Sequence, residues 1–170
     1  MGPENEKRCQ STAKLKLVTS PMEDFEKFGQ SLRELFEAQK LAVLSTQGNG
    51  QPYASLVAFW ASSDLKFICF GTPKTTRKFA NLAADPRVAV LVNSSTNRIA
   101  DFHKAISVTA VGEAAEAVGS EGEWILTQYL AKHPYLEDFI NAPTCALVKV
   151  SVKSYYMVKN FQYVMEMHIV

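Results

Sequence analysis

The sequence predicts a mostly β domain with flanking helices: six or seven short antiparallel strands forming a barrel or a sandwich. Three observations carry this expectation. Apolar, β-compatible runs recur along the chain and are separated by tight turns rich in Gly, Asn, Ser and Asp. Regular helices do not alternate with these strands, which argues against a doubly wound parallel sheet. The 170 residues, 47% hydrophobic and 21% charged, suit one globular domain with a real core.

The elements follow in order. Residues 1–20 read as a polar, basic tail and 21–170 as the domain. A helix is expected over 22–39, with Ser20 as cap and Pro21 in its first turn. Phe25, Phe28, Leu32, Leu35 and Phe36 fall at helical spacing and make one apolar stripe. Arg33, Glu34, Glu37 and Lys40 read as its solvated face. Residues 41–46 and 53–60 are strands joined through Gln47-Gly48-Asn49-Gly50-Gln51, so the pair reads as a hairpin. A turn at Ser62-Ser63-Asp64 leads into a third strand over 65–71, with Leu65, Phe67 and Cys69 alternating against Lys66, Ile68 and Phe70. A helical pattern over 75–84 is stopped by Asp85-Pro86. Residues 87–93 are a fourth strand, 94–103 a polar connection and 105–115 a fifth strand. Helices are expected over 120–132 and 135–140. Residues 145–151 form a sixth strand, and 154–158 continue it or pair with it.

Composition excludes several function classes. A net charge of +1 gives no general attraction to nucleic acid or to an anionic membrane. No apolar run approaches the ~18 residues of a membrane span, and the polar start lacks the apolar centre of a secretory signal. The expected location is cytoplasmic. The odd set Cys9, Cys69 and Cys145 suggests neither disulfides nor a CxxC metal site. Cys69 and Cys145 read as small buried hydrophobes. His103, His133 and His168 form no metal spacing. Asp101 and His103 could share a face as an acid–base pair, but a solvated loop is the favoured reading. Phe59 and Trp60 read as barrel packing rather than as a stacking surface for a ligand. Tyr155, Tyr156, Phe161 and Tyr163 suit either the core or a dimer surface.

One stretch carries chemistry: Phe70-Gly71-Thr72-Pro73-Lys74-Thr75-Thr76-Arg77-Lys78. Three cations and three hydroxyls fall where a strand gives way to a helix. Free N–H groups and the positive end of the helix dipole point outward there. That combination suits a phosphate, with Arg77 able to take two oxygens and Lys78 adding a point charge. The same residues also suit an ordinary capped helix with an exposed basic face. The GxxxxGK[ST] pattern of a P-loop is absent.

Four segments together resemble the pyridoxamine 5′-phosphate oxidase-like, FMN-binding split-barrel superfamily. They are the hairpin from Leu41 to Trp60; Phe67-Ile-Cys-Phe-Gly-Thr72 followed by Thr76-Arg77-Lys78; Asn81-Leu82-x-x-Asp85-Pro86-Arg87-Val88-Ala89-Val90; and Val108-Thr-Ala-Val-Gly-Glu-Ala114. The resemblance implies a split barrel, flavin mononucleotide (FMN) as cofactor, and a homodimer with flavin at the subunit interface. It implies that Thr76, Arg77 and Lys78 hold the phosphate. Phe70, Gly71 and Thr72 would line the flavin near its ribityl chain and ring. The backbone at Ser55, Leu56, Val57, Ala58 and Phe59 would serve the polar edge of the ring, and Ser107 would approach from the other subunit. Asn97, Arg98 and Asp101 could also reach a flavin across the interface.

The chain departs from true pyridoxamine phosphate oxidases in two places. Their Arg-x-x-Leu-Leu-Lys run reads Ser55-Leu-Val-Ala-Phe-Trp60 here, and the C-terminal segment from Phe161 to Val170 contains no arginine. The expected function is an FMN-dependent oxidoreductase acting on a small organic substrate other than pyridoxamine phosphate. A non-catalytic FMN-binding electron carrier, and a haem- or deazaflavin-binding relative, are the alternatives. No catalytic side chain and no metal are expected.

Overall fold

The computed structural model describes residues 22–159 and 163–169, with the backbone alone at 22–25 and 163. The sequence-predicted tail over 1–20, its cap at Ser20 and Pro21, Cys9 and Phe161 lie outside the described residues, as do the side chains of Phe25 and Tyr163.

The chain runs α1 (Met22–Ala38), β1 (Leu41–Gly48), β2 (Gln51–Ala61), β3 (Phe67–Pro73), α2 (Arg77–Ala84), β4 (Arg87–Asn93), α3 (Asp101–Lys104), β5 (Ile106–Glu116) and α4 (Gly119–Lys132). A 3₁₀ turn (Pro134–Leu136), α5 (Glu137–Ile140), β6 (Cys145–Lys159) and β7 (Tyr163–His168) complete it. Every strand pair is antiparallel. The strand order is β3-β2-β1-β4-β5-β6-β7, and a further β3–β6 pairing closes six strands into a barrel with β7 outside.

Closure depends on the length and bend of β6. Its first half pairs with β3 from Cys145 to Ser151, its second half pairs with β7 from Ser154 onward, and β5 lies along both. The bend falls at a bulge, where Val111 pairs with Ser154 but Gly112 pairs with Val152. Gly112 is required there, because a Cβ would collide with the Ser151 carbonyl. The strand over 145–151 and the segment over 154–158 are therefore one continuous element.

Strand parity decides what fills the barrel. Leu44, Phe59, Ile68, Phe70, Val108 and Tyr155 point inward and are fully buried. The apolar stripe of α1 then plugs one end. Phe28, Leu32, Leu35 and Phe36 are buried, and the Phe36 ring lies 5.8 Å from both Phe59 and Tyr155. Burial of each such side chain contributes about 1.5–3 kcal/mol. On the outer side of β2 and β3, α4 packs Ile125 and Tyr129 against Cys69 in a second cluster. The alternation expected for β3 is present: Ile68 and Phe70 face the barrel, while Phe67 and Cys69 face α4. Both faces of that strand are covered, so the hydrophobic pattern alone does not say which face is inward.

Two further differences are local. The polar connection ends in a one-turn helix, α3, rather than remaining irregular. Strand β7 was not anticipated; a pattern such as Val164-Met-Glu-Met-His168 becomes a strand through its pairing with β6.

Candidate functional site

The barrel is split at one place. Strands β2 and β3 share only three paired positions, Phe59–Phe70, Trp60–Cys69 and Ala61–Ile68. Beyond them β3 continues against β6, while β2 from Gln51 to Ala58 is laddered to β1 alone. One backbone edge of β2, carried by Ala54 and Leu56, is thus without a neighbouring strand.

Helix α2 sits on the hairpin beside this split. Asn81 is buried and donates from Nδ2 to Thr46 Oγ1 at 3.0 Å, fastening the helix to β1. Gly48 makes room for it, since a Cβ there would lie 2.6 Å from Asn81 Oδ1. Gln47 Nε2 donates to Asp85 at the helix end. Arg87 then engages both oxygens of Asp85, which holds that carboxyl far below the usual carboxylate range.

The start of α2 is built by threonines. Thr76 is the N-cap: its Oγ1 accepts from Phe79 N–H at 3.4 Å and donates to Pro73 O at 2.8 Å. The Thr72 hydroxyl, fully buried, lies 3.0 Å from it. Both hydroxyls therefore hold the turn in shape. The N–H groups of Arg77 and Lys78 have no acceptor among the described residues. Arg77 is exposed, and its Cζ lies 5.2 Å over the Tyr53 ring. Neither Arg77 nor Lys78 has a carboxylate within ion-pair distance among the described residues, whereas neighbouring Lys74 is paired with Glu116 at 2.6 Å.

Ser55 lies two residues from Tyr53 and so on the same face of β2. Its Oγ is buried and, among the described residues, is the one buried side-chain polar atom without a hydrogen-bond partner. An unpartnered buried hydroxyl costs about 1–3 kcal/mol. Free N–H groups and two unpaired cations thus stand at the start of α2, and an orphaned hydroxyl lies on the strand that carries Tyr53. Such a donor set suits an anionic, oxygen-rich group, and a flavin phosphate fits it.

The other sequence-predicted residues take distinct places. Phe70 is fully buried in the barrel core and Thr72 beneath the α2 turn, so their backbones alone can meet a ligand. Gly71 faces α5, where a Cβ would stand 2.5 Å from Ile140 Cδ1. Val57 is core, Ala58 packs toward α4, and Leu56 points out of the barrel with 62% of its surface exposed. Ser107 pairs with Asn93 on that same outer face, opposite to the side chain of Ser55. Within one chain Ser107 and Arg77 therefore lie on different faces.

The remaining candidates are occupied elsewhere. Asp101 accepts from the N–H groups of Thr96 and Arg98, at 2.7 and 3.0 Å, and from the Thr96 hydroxyl, so it organises its own loop. His103 is exposed on α3. His133 Nε2 donates to Phe59 O at 2.8 Å, and burial lowers its pKa. His168 bridges Ser154 and Glu166. Trp60 packs outward against Phe67 and Trp124, at 5.8 Å from each. Cys69 is buried, and burial raises its thiol to about 12. No group of three metal-ligating side chains occurs among the described residues. Sequence reasoning missed Tyr53 and the isolation of Ser55. The one signal present was their alternation on a strand that ends facing the cationic segment.

Comparison with known proteins places this geometry in context. A family profile described as pyridoxamine 5′-phosphate oxidase matches residues 28–159. No curated protein sequence matches the chain. Among solved structures, a haem-binding protein from Mycobacterium smegmatis superposes with a TM-score of 0.74 at 17% identity, covering 82% of this chain and 57% of that one. General Stress Protein 26 from Bacillus anthracis gives 0.61 at 16% identity, covering 84% and 98%. A FAD-binding protein from Mesorhizobium loti gives 0.58 at 19% identity, covering 75% and 90%. The chain thus spans a little over half the length of the Mycobacterium protein. At these identities the likeness is one of fold.

Proposed function

Since the chain belongs to the pyridoxamine 5′-phosphate oxidase-like split-barrel superfamily, we propose that it binds FMN at the barrel split and serves as an oxidoreductase for a small organic substrate. The observation that carries this reading is the pair of unpaired cations, Arg77 and Lys78, at the free N–H groups of α2. In this reading Arg77 grips two phosphate oxygens and Tyr53 keeps its guanidinium plane in place. Lys78 adds charge, and Thr76 with Thr72 fixes the turn. Ser55 Oγ gains the partner it lacks, and the open edge of β2 around Leu56 offers N–H and C=O groups to the ring. FMN, when bound, supplies hydride or electron transfer, while the chain binds it, orients it and limits water at the ring.

A homodimer completes the reading. Leu41, Val43, Leu56 and Leu91 adjoin one another by register on the outer face of β1, β2 and β4, with Leu41 51% and Leu56 62% exposed. Contiguous apolar surface of this kind marks an interface. Ser107 lies on this face, so a second copy is the route by which it approaches a flavin. The absence of cations at Ser55 and Trp60 argues against pyridoxamine phosphate as substrate.

The test is a titration of the purified apoprotein with FMN, followed by quenching of flavin fluorescence. Saturable binding and a yellow complex that releases FMN on denaturation are expected. A Soret band on reconstitution with haem, without FMN binding, would overturn the assignment. Anaerobic bleaching by NADH or NADPH separates a reductase from a passive carrier.

A further inference from the structure

A cavity of about 650 Å³ lies away from the split, between the C-terminal half of α1, the end of β2 and the end of α4. Phe36, Trp60, Ala61 and Leu65 give it apolar walls, and Lys132 lines it from α4. We propose that this cavity is a second small-molecule site, in which Lys132 Nζ captures a small aldehyde with a planar apolar body as a reversible imine.

The lysine is held unusually. Its Nζ donates to Phe36 O at 2.6 Å, at the last turn of α1, and lies 4.3 Å over the Phe59 ring. It has no carboxylate within ion-pair distance among the described residues. Phe36 is itself a wall of the cavity, so the amine stands at that wall. Other titratable groups around it oppose or follow its burial. Glu37 on α1 favours the ammonium, Cys69 on β3 is a thiol kept neutral by burial, and the neighbouring His133 is pushed toward its neutral form by burial. Arg33 and Glu34 lie on the α1 side of the cavity. Burial outweighs Glu37 and brings the Lys132 pKa down to about 8.

Amine chemistry needs the neutral form, and roughly half of such an amine is neutral at pH 8. Its lone pair adds to the aldehyde carbon and the carbonyl pair moves to oxygen. Nitrogen gives up two hydrogens, oxygen leaves as water, and a C=N bond replaces C=O without change of oxidation state. A proton taken up from water then gives the imine nitrogen one N–H, which the Phe36 carbonyl accepts. The planar body of the aldehyde lies among Phe36, Trp60 and Leu65. Nothing in this step depends on flavin, and the cavity shares no residue with the start of α2.

The test treats the intact protein with benzaldehyde and cyanoborohydride, then locates benzylated lysines by peptide mass spectrometry. Lys132 is expected to react about tenfold faster than exposed Lys66 and Lys104, with a rate rising through a midpoint near 8. Benzyl alcohol, which has the same planar body but no carbonyl, should protect Lys132 selectively. Lys132→Arg should lose that label and leave the others. Even labelling of all lysines, an unlabelled Lys132 in folded protein, or no selective protection would each overturn the proposal. Mapping on the wild-type chain decides the matter even where the variant fails to fold.

Discussion

The guanidinium of Arg77 lies over the ring of Tyr53, 5.2 Å from its centroid, and so joins the start of α2 to the unladdered part of β2. Two residues far apart in sequence thereby define one end of the barrel split. The exposed Arg77 has no carboxylate to hold it among the described residues, so the Tyr53 ring is the contact that positions its guanidinium.

Replacing Arg77 and Lys78 together by Ala should weaken FMN binding by about 3–6 kcal/mol, since each charge-assisted contact is worth about 1.5–3 kcal/mol. Tyr53→Ala should lose less, about 0.5–1 kcal/mol, by freeing the guanidinium. Fluorescence titration measures both. Unchanged affinity in the double variant would move the phosphate elsewhere.

Leu56→Lys places a charge at the centre of the exposed apolar face. Sedimentation velocity should show a dimer for the wild type and a monomer for the variant. The fold of the single chain should survive, because that side chain is 62% exposed. A variant that remains dimeric would exclude this face as the interface.

Gly112 and Gly71 both lack room for a Cβ, but against different neighbours. At Gly112 the obstacle is the Ser151 backbone, which cannot move without disturbing the bulge, whereas at Gly71 it is the flexible end of Ile140. Gly112→Ala should therefore destabilise by about 3 kcal/mol or more and Gly71→Ala by about 1–2 kcal/mol. Urea unfolding gives the ranking, and equal losses would contradict it.

His133 is held neutral by burial, with its Nε2–H donated to Phe59 O. Its folded pKa lies below the unfolded value of about 6.5. The unfolded chain thus takes up a proton first as pH falls, and stability declines below about pH 6.5. His133→Gln keeps an N–H donor but cannot titrate. Its melting temperature should fall less than that of the wild type between pH 7 and 5. Parallel curves would show that His133 does not govern the acid limb.

Most elements were legible in the linear sequence because their causes are local. The hairpin turn at Asn49 and Gly50 takes positive φ at both residues, the stripe on α1 repeats at 3.6 residues, and Asp85-Pro86 ends α2. Resemblance supplied the split barrel where periodicity left barrel and sandwich open. Misreadings arose where local pattern carries no information. The polar connection closes with the one-turn helix α3, and β7 is a strand because β6 offers it an edge.

By itself, then, the sequence determined strands β1 to β6, the helices other than α3 and the cationic run from Lys74 to Lys78, because turn chemistry and hydrophobic period act over a few residues. Tertiary structure alone decided that β3 meets β6 and leaves β2 half unpaired, that Ser55 has no partner, and that Lys132 reaches the Phe36 carbonyl 96 positions away. Those outcomes depend on long-range register, bulge and packing, in which a single residue's shift would turn every side chain to the opposite face.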